Sequence, residues 1–502
     1  MDKEIMIEKK RLIAPSYLVG TRQLGAKALS RNRKMMKLPK KNVILITIDA
    51  LRADHLNCLG YPRKTTSNLD EFAHKGALFT HAFSNAPTTR QSFPSILTST
   101  YAAMYNDCAL QDKRPLSKER MTIAEKLKEY GYSTAGFHYN AFLSSLYGYD
   151  RGFDTFEDFL GESLKIRKHT FIQTMFRKTL RKPGKLPFVF RELGKIITRS
   201  HGSRARDRRV GVPYKRASVI SRKALDWLKN KQPKSFFLWL HYMDTHIPYI
   251  PPKDFTPPSI NWWTLDKLQS KFSRALIYDC SILSNNDLVK LVSLYDGEIE
   301  YVDHIFGLFL SELEKIGIGL DNTFFIITAD HGDEFMEHGG LSHSGKLYDE
   351  LIHVPLILCG PGIKRNTVVK DLVSLIDLAP TILTLLDTTK VPETFMGRSL
   401  HPIWNAKKST ESMGIISEWT KGKRRRVSYR TNEWKYILTL DEKDTQHELY
   451  DLQTDPKERK DLSGEEKMRC AKFKTKLTRH ISMEEKSRTK ERIRTLKRKG
   501  II

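Results

Sequence analysis

Three short apolar runs in this sequence lead into residues that bind cations. NVILITI (42–48) runs into Asp49, and NTFFIITA (322–329) runs into Asp330 and His331. SFFLWLHYM (235–243) contains His241 and leads to Asp244 and His246. Carboxylates and imidazoles are ligands for a divalent metal. Taken singly, an Asp after a strand is an ordinary helix cap, and a His there is an ordinary satisfied polar group. Their joint occurrence after three such runs points to one site. A fourth segment, APTTRQSFPSILTS (86–99), puts Thr88 and Thr89 at the head of an apolar helical stretch. Such hydroxyls commonly serve as helix caps. Beside a metal, a hydroxyl loses its proton more easily and becomes a nucleophile. The helix start then offers backbone N–H groups to an anionic ester oxygen.

These residues need a scaffold that gathers strand ends. The runs above, with HVPLILCG (353–360), are continuously apolar, as in strands buried on both faces of a parallel sheet. Between them SNLDEFAHKG (67–76), KERMTIAEKLKEYG (118–131) and DGEIEYVDHIFGLFLSELEKIG (296–317) carry apolar residues at helical spacing. Strands alternating with helices predict a doubly wound, mostly parallel α/β sheet, whose ligands bind beyond the carboxyl ends of the strands. Shorter strands within 413–462 predict a smaller C-terminal α+β subdomain, with Trp434 and Tyr436 packing it. The expected organisation is a basic arm at 1–40, a catalytic α/β domain at 41–400, a small subdomain at 401–465 and a basic helical tail at 466–502. A basic insertion or lid interrupts the catalytic domain at about 161–215.

With 40% hydrophobic residues the chain is globular. Its net charge of +27 is concentrated in the arm, the insertion and the tail. Such a balance favours anionic partners: an anionic ester substrate, and an anionic membrane contacted peripherally through the insertion and tail. Nucleic acid is not expected, because no base-reading element accompanies the basic clusters. The five cysteines are odd in number and widely spaced, which argues against a disulfide framework and a zinc cluster. Reduced thiols, an N-terminus without an apolar core and the lack of a run of ~18 apolar residues predict a cytoplasmic, at most membrane-peripheral, protein.

The motifs then resemble a known family. NVILITIDALRADHLNCLGYPRKTTSNLDEFAHKGALFTHAFSNAPTT is similar to the opening of sulfatases of the alkaline-phosphatase superfamily, and TADHGDEFMEHGG to their late metal motif. KLYDELIHVPLILCGPGI, SLIDLAPTILTLLD, MGRSLHPIW, YRTNEWKYI and ELYDLQTDPKERKDL continue the resemblance in order to about residue 462. It implies an alkaline-phosphatase-like fold and a metal-dependent enzyme that cleaves or transfers a sulfate or phosphate ester. By resemblance, Asp49, Asp330 and His331 bind one divalent metal and Thr89 bridges metal and substrate. His246 matches a substrate-site histidine, and Lys346 matches a lysine on the ester oxygens. His343 matches a histidine beside the metal in phosphoethanolamine transferases. Calcium, manganese and zinc remain open as the ion. A second metal is not expected, although Asp244, His246 and His343 could hold one.

The chain departs from the family at two points. Thr89 stands where classical sulfatases carry the cysteine that becomes formylglycine, and Ala50 stands where they carry the second Asp of a pair. Both departures resemble the phospho-transferring relatives, so a phosphodiesterase or a phosphoethanolamine- or glycerophospho-transferase is the alternative. A reading of another class is a non-catalytic polyanion- or membrane-binding protein on a degenerate sulfatase fold. His138 and Asn140 either face the site or are loop residues without a role. His241 reads as structural, and His338 as a loop residue.

Overall fold

Val43 to Ile46 have no contact with solvent, so the first apolar run forms a strand with neighbours on both sides. In this computed structural model the described residues are 41–105, 107, 114–158, 212–388, 391–405, 414–442, 444–498 and 501. The basic arm at 1–40 and the expected insertion up to residue 211 lie outside them. The strands are β1 (Asn42–Ile48), β2 (Ala77–Phe83), β3 (Ser133–Phe137), β4 (Thr155–Glu157), β5 (Phe236–Tyr242), β6 (Thr323–Ala329), β7 (Glu334–Phe335) and β8 (Leu341–Ser342). They continue with β9 (His353–Cys359), β10 (Thr367–Val369), β11 (Val373–Ser374), β12 (Ile415–Lys421), β13 (Arg424–Arg430), β14 (Trp434–Leu440) and β15 (Thr445–Asp451). The main helices are α1 (Ser67–His74), α2 (Thr89–Thr98), α3 (Ile123–Glu129), α4 (Ala217–Lys231), α5 (Trp262–Ile277), α6 (Asn285–Lys315), α7 (Leu378–Leu385) and α8 (Lys467–Arg498).

The large sheet runs β10-β2-β9-β6-β1-β5-β3-β4, with β11 also paired to β2. β1 lies at its centre, parallel to both β5 and β6. The sheet is mostly parallel, as expected. The exception is β9, which the sequence suggested as a parallel strand but which runs antiparallel to β6 and β2. A continuous apolar run reports burial and carries no information on direction. Two groups of helices cover the sheet: α1, α4 and α6 pack together, as do α2, α3 and α7. α6 begins at Asn285, well before the periodic segment read from the sequence, because Ser284 and Asp287 form a reciprocal capping box. A capping box of Thr122 and Glu125 likewise delays α3 to Ile123.

β12 to β15 form an antiparallel meander in chain order. One face packs Ile415, Trp419, Ile437 and Tyr450 against Phe83, Leu351 and Leu372 of the larger unit. The other face packs Val427, Tyr436, Leu438 and Leu449 under Phe473 and Leu477 of α8. Trp434 borders that cluster, and Arg469 lies over its ring. The basic C-terminal helix is therefore the closing layer of this small sheet. Gly345 shows how tightly the two parts meet: its φ is +85°, and a Cβ there would lie 2.3 Å from the Trp419 ring. A side chain at that point would separate the small sheet from the loop bearing His343 and Lys346.

Candidate active site and metal centre

In the parallel register Ile48 pairs with Tyr242 on one side and Ala329 on the other. The chains of β1, β5 and β6 therefore leave the sheet at one level, and Asp49, His241 and Asp330 meet there. The turn after Asp49 is sharp: Ala50 has φ +57°, and its N–H donates to Asp330 Oδ1 at 3.3 Å. Thr89, the first residue of α2, places Oγ1 3.4 Å from Asp49 Oδ2 and 3.2 Å from His331 Nε2. The N-cap of this helix is Thr88, and Thr89, one residue on, faces the strand ends.

The hydrogen-bond network sets the protons on both imidazoles. Thr47 Oγ1 donates to the Leu240 carbonyl at 3.2 Å, so towards His241 Nδ1, at 3.0 Å, it accepts. His241 Nε2 is left bare, 3.2 Å from Asp49 Oδ2. His331 Nδ1–H donates to the Gly332 carbonyl at 2.8 Å, which leaves its Nε2 bare as well. That nitrogen lies 3.8 Å from Asp49 Oδ1 and 3.6 Å from Asp330 Oδ2. Both of these carboxylate oxygens are buried and have no hydrogen-bond partner. Burial and the charge of Asp49 push the Asp330 carboxyl up to about 7. Burial would raise Asp49 too, but His246, His241 and His331 outweigh it and hold that carboxyl well below its usual range.

Two bare ring nitrogens and two orphaned carboxylate oxygens thus converge in the interior. An unpaired charge there is costly, and a divalent cation beside the carboxylates would offset it. The residues fit a metal. Oxygen and imidazole donors suit zinc or manganese better than calcium. Asp49, His241 and Asp330 lie close enough to share one ion. The sequence reading had made His241 structural; its place in this ligand group is what the strand register adds. Asn140 also faces the site, donating from Nδ2 to Asp49 Oδ2 at 3.1 Å. His138 does not. Its Nδ1 accepts the Asn140 N–H at 3.1 Å, and its ring packs between Trp239 and Phe156.

Beside this cluster stand His246 and His343, whose rings lie 5.2 Å apart, with the His343 ring 4.7 Å from that of His331. His246 Nδ1–H donates to the Ile247 carbonyl at 2.7 Å, and burial lowers the imidazole's affinity for a proton. His343 is set differently. Burial opposes its protonation, but Asp333 Oδ1, 2.9 Å from Nδ1, overcomes this and raises it. Tyr249 OH holds the other oxygen of Asp333 at 2.5 Å. Asp333 was missed in the sequence, where it reads as the second of three acidic letters in DHGDEF.

Two expected roles meet different partners. Asp244 does not join His246 and His343 as a second metal site: its carboxylate accepts from Arg216 at 3.2 Å and from the Ala217 N–H at 2.8 Å, at the start of α4. Lys346 Nζ donates to Glu334 Oε1 at 2.8 Å and to the His338 carbonyl, within the β7–β8 hairpin region. His338 stacks on Tyr348 and bonds Glu350, a structural role.

Fold and site together give an α/β protein with a buried polar centre at its strand ends that could hold a cation. Comparison with known proteins gives its family. The Sulfatase family profile matches residues 41–388, and the profile described as N-sulphoglucosamine sulphohydrolase, C-terminal, matches 337–487. An arylsulfatase of Clostridium perfringens is 25% identical over 455 residues, covering 85% of this chain and 91% of its own. Arylsulfatase K of Mus musculus is 30% identical over 215 residues, 41% of this chain and 38% of its own. Among solved structures, a phosphonate monoester hydrolase of Agrobacterium radiobacter superposes with TM-score 0.65 at 20% identity, over 89% of this chain and 96% of that one. A protein solved with its substrate D-glucosamine-2-N,6-O-disulfate gives TM-score 0.64 at 20% identity, over 89% and 98%. The chain belongs to the sulfatase family, whose members are ester hydrolases that use a divalent metal ion.

Proposed function

We propose that this protein cleaves a sulfate or phosphate ester with Thr89 as the nucleophile. The observation that carries the proposal is the Thr89 hydroxyl at the head of α2, within 3.4 Å of Asp49 and 3.2 Å of His331. A divalent ion held by Asp49, His241, Asp330 and His331 would supply acidity to that hydroxyl and neutralise charge on the ester. Thr89 Oγ1, its hydroxyl directed at Asp49 Oδ2, gives up its proton to solvent and attacks sulfur or phosphorus opposite the leaving oxygen. Asn140 Nδ2 holds that carboxylate in place. His343, oriented by Asp333, delivers a proton to the leaving oxygen. His246 keeps its proton on Nδ1 and presents bare Nε2 to the substrate. Lys346 balances charge on the ester oxygens with the hydrogen its two partners leave over. Water or an acceptor alcohol then resolves the Thr89 ester.

The second reading, a phosphodiesterase or phospho-transferring enzyme, is favoured by Thr89 and Ala50, which replace the formylglycine cysteine and an acidic ligand. It is supported by the fold shared with the phosphonate monoester hydrolase. The four free cysteines among the described residues fit a reducing, cytoplasmic setting. The test is turnover of nitrophenyl sulfate and of nitrophenyl phosphate mono- and diesters after loading with manganese, zinc or calcium. Thr89→Ala should lower kcat at least ~1,000-fold with metal binding retained. Near-normal turnover in that variant would remove the nucleophile assignment. Preference for the diester over the sulfate would select the second reading.

A further inference from the structure

The solvent side of α5 carries residues that a water-facing helix normally avoids. Asn261 caps this helix by accepting the Thr264 N–H at 2.9 Å, and Leu268, Phe272 and Ala275 are buried on its inner side. At about 100° per residue, Trp263, Lys267, Ser270, Arg274 and Ile277 fall on the opposite side. Trp262 is 76% exposed and Trp263 60%, and Tyr278 just past the helix is 71% exposed. Leu276 and Ile277 are exposed as well. The other five tryptophans of the chain are buried or half-buried. Two adjacent indoles in water, with a second apolar group one helix length away, mark an interaction surface.

The chemistry of this face selects its partner. Indole and phenol rings at the two ends, with cations between them, match the headgroup zone of a bilayer, where such amphipathic rings settle. Lys267 Nζ lies 5.3 Å from the centre of the Trp263 ring, and among the described residues neither Lys267 nor Arg274 is in an ion pair. Asp266 is the one acidic residue of the helix, against Lys267, Lys271 and Arg274, so an anionic surface is attracted. A second copy of the chain would bring like charge against like. No described helix is long and apolar enough to cross a membrane, so contact is by this face and not by spanning. Beyond α5, Cys280 Sγ reaches the Gly339 carbonyl at 3.5 Å, in the β7–β8 turn between Asp333 and His343. The face therefore adjoins the loop that carries the His343 side of the site.

We propose that the outward face of α5 docks the protein onto an anionic phospholipid bilayer, with Trp262 and Trp263 at headgroup depth. The proposal stands apart from the reading of the active site, because its test reads binding alone. Full-length protein is mixed with vesicles of phosphatidylglycerol and phosphatidylcholine, with and without brominated acyl chains, and followed by co-sedimentation and tryptophan emission. Binding with quenching of the emission is expected. The double variant Trp262→Ala/Trp263→Ala should melt with the wild type, since both rings are exposed, yet bind at least about tenfold more weakly and lose the quenching. Absence of vesicle binding would overturn the proposal. So would equal binding by the double variant, which would assign the contact to the basic segments. Tryptophan-dependent dimers in sedimentation velocity without vesicle quenching would overturn it in favour of a second copy.

Discussion

Two buried clusters in this protein use the same residue types to opposite ends. Asp49, His241 and Asp330 meet at the strand ends, and Glu418, His480 and Glu484 meet between the small sheet and α8; either trio is close enough to hold an ion. The second cluster contains its own cation. Arg425 Nη2 donates to Glu418 at 3.0 Å and to Glu484, and the Ala103 N–H donates to Glu418 at 2.7 Å. His480 Nε2 faces Glu484 Oε1 at 3.1 Å, and its two carboxylate neighbours outweigh burial and raise the imidazole to about 9. Two positive and two negative groups balance. At the strand ends, among the described residues, no Lys or Arg reaches Asp49 or Asp330, and both imidazoles present bare nitrogens. A cluster that contains its cation needs none from outside, whereas one that lacks it has its charge left to be balanced.

Breaking each cluster should therefore have different consequences. Asp330→Asn should lower turnover by at least ~10,000-fold and abolish tight binding of manganese or zinc in calorimetry. In the metal-free protein the same change removes an unbalanced buried charge, so it should raise the melting temperature. A lower melting temperature without metal would break the comparison.

Arg425→Met should do the reverse. It strands two buried carboxylates and should cost about 3–5 kcal/mol in urea unfolding, while metal affinity and turnover per folded molecule stay unchanged. Loss of metal from this variant would mean that the two clusters are not separate. The pH dependence follows from His480. Its folded proton affinity, about 9, exceeds the ordinary 6.5, so its contribution is fully present below the ordinary value and fades as pH rises through about 9. The size is about 3 kcal/mol for such a displacement. Urea unfolding at about pH 6 and about pH 9.5 should show wild type losing this margin, and His480→Gln losing little of it. Equal losses would remove His480 from the balance.

Asp49, Asp330 and His331 were legible as candidates because they follow runs whose burial is written in their composition, and Thr89 because it heads a helix. Parallel packing then does the rest. His241 was not legible, because a histidine inside a buried run reads as packing until the register sets it beside Thr47 and Asp49. Asp333 acts through His343, ten residues on, and nothing in the spacing announces that contact. Asp244 looked like a ligand by its nearness to His246, but Arg216, from the far side of the insertion, takes its carboxylate. Sequence proximity failed where a long-range partner decided the matter.

Ala50 is the smallest such case and can be measured. The sequence marks it only as a missing acid, yet its φ of +57° is the left-handed conformation that a Cβ disfavours by roughly 1–2 kcal/mol. That turn lets the Ala50 N–H reach Asp330 while Tyr295 OH holds the Ala50 carbonyl at 2.7 Å. Ala50→Gly relieves the strain but loses a buried methyl and loosens the unfolded chain, so the terms should cancel to within about 0.5 kcal/mol. Ala329, equally buried at the end of β6, has no such strain to relieve. Ala329→Gly should therefore cost about 1 kcal/mol more than Ala50→Gly in urea unfolding of the metal-free protein. Equal losses at the two positions would mean that the turn after Asp49 is not strained. The geometry that brings Asp49 and Asp330 together would then need no help from the rest of the fold.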